Sequence, residues 1–199
     1  METGASGGEG AGDVPVHEQG LMGRITVTEA NRLAREDFVR TFGSVYERSP
    51  WVAERAWGER PFEAPDDLRR ALWRAVDEAS RERQLDLIRA HPDLAGKAAV
   101  AGGLTPESER EQSAAGLDRL SPEEYERFTD MNDAYREKFG FPMVVYVREH
   151  TKDSILAQAE ARLANTSERE VETALEEIHK IAASRLEDLI ASEEVGGRR

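Results

Sequence analysis

Three times in this chain a hydroxyl residue is followed directly by proline, at Ser49-Pro50, Thr105-Pro106 and Ser121-Pro122. A Ser or Thr side chain can accept a hydrogen bond from the free N–H groups of a helix's first turn, and proline at the first helical position has no N–H to leave unsatisfied. Each pair therefore predicts a helix start. Ser121 with Glu124 adds the reciprocal capping box. Further starts are expected at Thr28, at Asp66 or Asp67, after Ser80, at Thr151, and at Ser167 with Glu170. The Thr28 helix runs through Arg35 and continues from Glu36 to Phe42, and the Thr151 helix ends near Asn165.

Apolar residues recur between these starts at helical spacing. Phe38, Val39 and Phe42 form one such set, Leu68, Leu72, Trp73 and Val76 another, and Ala174, Ile178, Ile181, Leu186 and Leu189 a third. Only Met143 to Val147 reads as extended, and one β-branched run has no obvious strand partner. The expected fold class is therefore all-α: a single-domain bundle of about eight or nine helices. Residues 1–20 are rich in Gly, Ala, Glu and Ser with no aromatic residue, too little apolar surface to offset ordering entropy. The expected organisation is a disordered N-terminal tail over 1–21, an all-helical domain over 22–192 and a short C-terminal tail over 193–199.

Charge narrows the partners. Lys plus Arg number 27 against 40 Asp plus Glu, a formal net charge of −13. That field opposes binding to a phosphate backbone, so no nucleic acid is expected. No run approaches the roughly 18 apolar residues of a membrane span, and the N-terminus lacks a secretory signal, so no membrane partner is expected either. With no cysteine, the chain has no disulfide, thiol nucleophile or thiolate metal site, consistent with a cytoplasmic setting. There is no His-Glu-x-x-His and no EF-hand spacing, so no metal and no cofactor are expected. His17 falls in the tail, His150 stands beside the Thr151 cap, and His179 has Glu176 one turn back; these make no metal set.

His91 is the first candidate for chemistry. A residue before proline is pushed out of the α region, so the helix carrying Leu87 and Ile88 should end at His91. At a helix C-terminus the macrodipole favours a protonated imidazole, and a nearby carboxylate favours it further, which suits a general acid. The plainer alternative is a capping or core histidine. On the helix starting after Thr105, Ser108, Glu111 and Gln112 share one face and can present a hydroxyl, a carboxylate and an amide to one ligand. Arg162 stands on a helix with Ile155, Leu156 and Ala159; it can snorkel to solvent or pair with Gln158, or its planar guanidinium can grip an anion through two parallel hydrogen bonds.

Four motifs give the chain a family likeness. His91-Pro92-Asp93-Leu94, Ser108-x-x-Glu111-Gln112, Asn132-x-x-Tyr135-x-x-x-Phe139-Gly140-Phe141-Pro142 and Arg162-Leu163-x-Asn165 stand in the order and spacing of the decarboxylases of 2-oxo-4-hydroxy-4-carboxy-5-ureidoimidazoline (OHCU). From about Thr28 to Ile190 the chain resembles that family. The resemblance implies a carboxy-lyase that converts OHCU to (S)-allantoin without a cofactor, the last step from urate to allantoin in purine degradation. It implies catalytic roles for His91 and Glu111, and substrate contacts from Pro92, Ser108, Gln112 and Arg162. It also implies ring-binding backbone amides in the segment of Phe141, Val144, Val145 and Tyr146, and a homodimer acting on a small anionic substrate. The Phe141-Pro142-Met143-Val144-Val145 segment departs from the family's commonest form at Met143 and the two valines, changes that backbone contacts tolerate. Two other readings are a non-catalytic helical interaction module, which does not need His91, Glu111 and Arg162 to converge in a pocket, and a lyase or hydrolase of a related ureido compound.

Overall fold

Capping chemistry sets most of the element boundaries. In the computed structural model, which describes residues 24–96 and 103–191, nine α-helices follow one another. They are α1 (Val27–Arg32), α2 (Arg35–Phe42), α3 (Trp51–Trp57), α4 (Pro65–Asp77), α5 (Arg81–Ala90), α6 (Pro106–Ala114), α7 (Pro122–Phe139), α8 (Lys152–Arg162) and α9 (Ser167–Leu189). The hydroxyls of Ser80, Thr105, Ser121 and Thr151 cap α5, α6, α7 and α8 as expected. The expected all-α class holds. The tails expected at 1–21 and 193–199, and with them His17, lie outside the described residues.

Some starts differ by a residue or two. The first cap is Thr26, because Glu29 three residues on reaches back to its N–H at 2.8 Å, whereas the residue three after Thr28 is Asn31. The helix expected to run through Arg35 stops at Arg32, since Leu33 and Ala34 are extended before α2 begins. At α3 the cap position falls on Pro50 with no side-chain cap, and α4 starts at Pro65, with Asp67 accepting from the N–H groups of Glu63 and Ala64. Thr166 caps α9, not Ser167, and Glu170 is spent elsewhere in a buried ion pair. α8 ends at Arg162, short of Asn165.

The long helix α9 is the centre of the bundle and packs against α5, α2 and α4, while α3 packs on α2 and α4, and α7 on α8. Phe38, Phe42, Leu68, Leu72, Leu87, Ile88, Phe128 and Ile155 fill the core between them, each burial favourable by about 1.5–3 kcal/mol. Residues 141–146 form an irregular buried segment leading into a 3₁₀ turn at Val147–Glu149 that packs on α6. Among the described residues the only β pairing is an isolated parallel bridge between Ile25 and Ile190, which ties the first helix to the end of α9. No described helix is long and apolar enough to cross a membrane.

Three charged residues interrupt the buried face of α9: Glu170, Glu177 and Arg185. Burial of an unpaired charge is prohibitive, so each must have a partner. Glu170 accepts from Arg162, Tyr135 and Asn165; Glu177 accepts from the Tyr146 N–H and from Lys180; Arg185 enters the site described next.

Candidate active site

α5 ends where the sequence predicts. His91 is its C-cap residue, extended at φ −72° and ψ 143°, and Pro92 follows. The imidazole folds back on its own helix, and Nδ1 lies 2.9 Å from the Leu87 carbonyl oxygen. A carbonyl can only accept, so Nδ1 carries the hydrogen, and in the neutral ring Nε2 holds the free lone pair. Nε2 has no protein partner among the described residues.

The turn that follows is clamped from three sides. Gln112 accepts from the Ala95 N–H at 2.9 Å and donates to the Asp93 carbonyl at 3.2 Å, Asn132 donates to the Leu94 carbonyl at 2.9 Å, and Arg136 pairs with the Asp93 carboxylate. Ala95 adopts a left-handed φ of 51°. A non-glycine residue in that region is strained and persists only where its surroundings over-determine it. The motif residues Gln112 and Asn132 therefore hold the backbone that carries His91.

His91, Pro92, Leu94, Ser108, Glu111, Gln112, Val144, Val145, Tyr146 and Arg185 line one cleft, closed on its apolar side by Met143, Val147 and Ile181. About 420 Å³ free of protein atoms lies within it, its mouth included. The sequence places His91, Pro92, Ser108, Glu111, Gln112, Val144, Val145 and Tyr146 at a site, and the fold brings all eight together. Two expected residues stand apart. Phe141 is buried in the core, stacked on Phe139.

Arg162 is the larger correction. Its guanidinium is buried against Glu170, with Nη2 at 2.6 Å and Nε at 3.0 Å from the same carboxylate oxygen, and Nη1 donates to the Val144 carbonyl at 2.8 Å. It braces the 141–146 segment from behind and does not reach the cleft. The cation that does is Arg185, on the buried face of α9 one turn after Ile181. A charge on an otherwise apolar helical stripe is the sequence signal that marks it.

Arg185 has two carboxylate partners. Nε and Nη2 meet Glu111 side-on at 2.7 and 2.8 Å, and Nη1 donates to Glu47 at 3.0 Å. Glu111 is thus held by Arg185, and no hydrogen bond joins it to His91. Burial is the largest influence on the Arg185 pKa and lowers it, but the hydrogen bonds and charges of Glu111 and Glu47 outweigh it and the net shift is upward. Burial likewise raises the Glu47 carboxyl, yet Arg185 and the Thr105 and Ser108 hydroxyls together bring it below the ordinary carboxylate value.

His91 moves opposite to the sequence expectation. At 6% exposure, desolvation pushes its pKa down to about 4, helped by the Arg185 charge and opposed by the Leu87 carbonyl and Glu47. The helix-end field favours an imidazolium by at most about 2 kcal/mol, whereas full burial shifts a pKa by up to about 3–5 units. Desolvation wins, and the resting ring is a neutral base, not a charged acid.

The Tyr146 N–H donates to Glu177 at 2.7 Å. The N–H groups of Val144 and Val145 have no acceptor among the described residues, and buried amides rarely stay unpaired. With the N–H groups of Met143 and Val147, which also have no acceptor among the described residues, they are the unpaired backbone donors of the cleft wall. Among the described residues no group of three or more His, Asp or Glu could hold a metal ion. The site combines a neutral base, a buried cation, a carboxylate, a hydroxyl and free amides, which is the equipment for acid–base work on a small anion.

Known proteins agree with that class. The OHCU decarboxylase family profile matches residues 31–187. The 2-oxo-4-hydroxy-4-carboxy-5-ureidoimidazoline decarboxylase of Haloferax volcanii is 48% identical over 172 residues, covering 86% of this chain and 100% of that protein. The same-named protein of Halalkalicoccus jeotgali is 46% identical over 168 residues, covering 84% of this chain and 93% of its own. Among solved structures, a crystal structure of (S)-allantoin synthase aligns with a TM-score of 0.67 at 32% identity over 83% of this chain, which spans only 54% of that one. The chain belongs to the OHCU decarboxylase family.

Proposed function

We propose that this chain is a carboxy-lyase that decarboxylates 2-oxo-4-hydroxy-4-carboxy-5-ureidoimidazoline to (S)-allantoin, with His91, Glu111 and Arg185 at the reacting end. One observation carries this reading above the family likeness: a neutral imidazole with a free Nε2 shares a cleft with a buried arginine whose bidentate edge is held by a carboxylate that lines the same cleft.

In the substrate the carboxylated carbon also bears a hydroxyl and lies beside a ring C=N bond. When the C–CO₂ bond breaks, its electron pair enters that C=N bond, so the substrate is its own electron sink. The product has a carbonyl where the hydroxyl stood and a hydrogen on the neighbouring carbon. Neutral His91 suits both changes: Nε2 takes the hydroxyl proton, and the same nitrogen returns it to the adjacent carbon from one face. The ring nitrogen takes one further proton from solvent, neutralising the negative charge that departing CO₂ leaves on the ring. Positioned acid–base groups of this kind contribute on the order of 10²–10⁴ in rate.

Arg185 holds the substrate carboxylate through the Nε and Nη2 edge, because two parallel hydrogen bonds fix its orientation. Glu111, displaced, sits beside the imidazolium that forms. Ser108 and the Val144 and Val145 amides bind the ureido-imidazoline, while Gln112 and Pro92 shape the wall around His91. The proposal extends to a homodimer, as the family resemblance implies, and to a reducing cytoplasm, which the lack of cysteine fits; sedimentation equilibrium measures the first.

Polarimetry of the product tests the chemistry. Purified protein acting on freshly generated substrate should give one enantiomer of allantoin, and should do so after exhaustive chelation. His91→Asn should leave the spontaneous rate and a racemate. If that variant still yields one enantiomer at near wild-type rate, His91 has no part in proton transfer.

A further inference from the structure

Glu47 belongs to none of the four motifs, yet it is 2% exposed and touches the centre of the site from behind. It lies in the connection between α2 and α3, where a glutamate would ordinarily point to water. Here Val45, Tyr46 and Glu47 are buried in succession, and the next residue, Arg48, takes a left-handed φ of 45°. That conformation is unfavourable for a non-glycine residue by about 1–3 kcal/mol. Arg48 is exposed there, while Glu47 before it and Ser49 after it stay buried.

Both oxygens of this carboxylate are engaged, and Oε2 meets two residues of the active site. Oε1 accepts from the Thr105 hydroxyl at 2.8 Å; Oε2 accepts from the Ser108 hydroxyl at 2.9 Å and from Arg185 Nη1 at 3.0 Å. Arg185 for its part has all five N–H donors engaged. Nε and Nη2 serve Glu111, Nη2 also donates to the Ser108 hydroxyl at 3.2 Å, and Nη1 divides between Glu47 and the Ser44 carbonyl at 3.3 Å.

An incoming carboxylate can therefore reach Arg185 only by taking the edge that Glu111 occupies. Glu111 lines the cleft and can move into it; Glu47 does not line it and is pinned by three donors. We propose that Glu47 is a positioning residue: the permanent counter-ion that keeps Arg185 aimed into the cleft while the substrate's carboxylate displaces Glu111. The proposal rests on the decarboxylase reading above. A guanidinium with one removable partner would be buried unpaired at each exchange, which is costly enough to let the side chain swing out. A second, fixed carboxylate removes that moment.

The test separates anion recognition from folding. In full-length Glu47→Gln the amide keeps the volume and loses the charge. The KM for the carboxylated substrate should rise at least about tenfold, while inhibition by uncharged (S)-allantoin stays within about twofold. The hydrogen-bonded Arg185 Nε–H resonance should stay sharp in wild type and while either carboxylate remains, in Glu47→Gln or in Glu111→Gln, and should broaden or vanish when both are replaced by Gln. That resonance needs no turnover, so it judges Glu47 even if the wild-type protein fails to decarboxylate the substrate, a failure that sinks the activity instead. If Glu47→Gln does not fold, Glu47→Asp, which keeps the charge but draws it back from Arg185, should show a smaller rise in substrate KM with allantoin inhibition unchanged. A persistent Arg185 resonance in the doubly substituted protein overturns the proposal. So does an equal loss of affinity for substrate and allantoin in either variant.

Discussion

His91 shows how far burial can outvote local sequence. Its position at the end of α5 and before Pro92 follows from the chain alone, but its charge does not, because the walls that desolvate it come from α6, α9 and the 143–147 segment. The depressed pKa makes a prediction with a definite sign. The unfolded ring titrates near 6.5 and the folded one near 4. Between those values the unfolded state binds the extra proton, so the stability contributed by neutral His91 is fully present above about pH 6.5 and is lost as pH falls toward 4. Urea titrations at several pH values should show wild type losing more stability than His91→Asn across that window; parallel curves would mean the ring is not desolvated. A second residue-level contrast separates the two arginines. Arg162→Met leaves the Glu170 carboxylate buried without its counter-charge, with only the Tyr135 and Asn165 donors, and should cost roughly 3–5 kcal/mol, read as a drop in Tm, with kcat changed little once the protein is folded. Arg185→Gln should cost most of kcat/KM. The reverse pattern would return Arg162 to the site.

At the scale of elements, the capping rules transfer well where the cap is a single hydroxyl acting on its own helix. Thr105, Ser121 and Thr151 depend on residues within three positions of themselves, and so they are legible in sequence. The rule misplaced α9 because Glu170, three residues after Ser167, has stronger long-range partners in Arg162, Tyr135 and Asn165 than any backbone N–H offers. It misplaced α1 by two residues because a second hydroxyl, Thr26, has the better-spaced glutamate. The exposed capping box of α7 gives a clean test: Ser121→Ala should lose about 1 kcal/mol, or about 2–4 °C in Tm for a domain of this size. Activity at 25 °C should not change. A loss of turnover would mean that α7 aligns the clamp from Asn132 and Arg136 more tightly than its packing suggests.

At the scale of the molecule, helix-start signals and apolar spacing made the all-helical class plain, while composition showed the absence of a cysteine framework and predicts that residues 1–21 add little. A truncated protein lacking them should melt within a degree or so of the full chain and keep its activity, because a Gly-rich segment has little apolar surface to bury. A fall of several degrees would show that the segment packs on the domain. The sequence by itself determined the helix starts, the end of α5 at His91, and the shared face of Ser108, Glu111 and Gln112, since these follow from dihedral limits and helical periodicity over a few residues. Only the tertiary structure decided which arginine enters the cleft, which glutamates hold it, and whether the histidine is charged. Those outcomes depend on desolvation and on partners separated by many residues: Glu47 and Arg185 meet across |i−j| = 138. A buried charge is placed by whatever can neutralise it, and that information resides in the packing of the helices, not in any one of them.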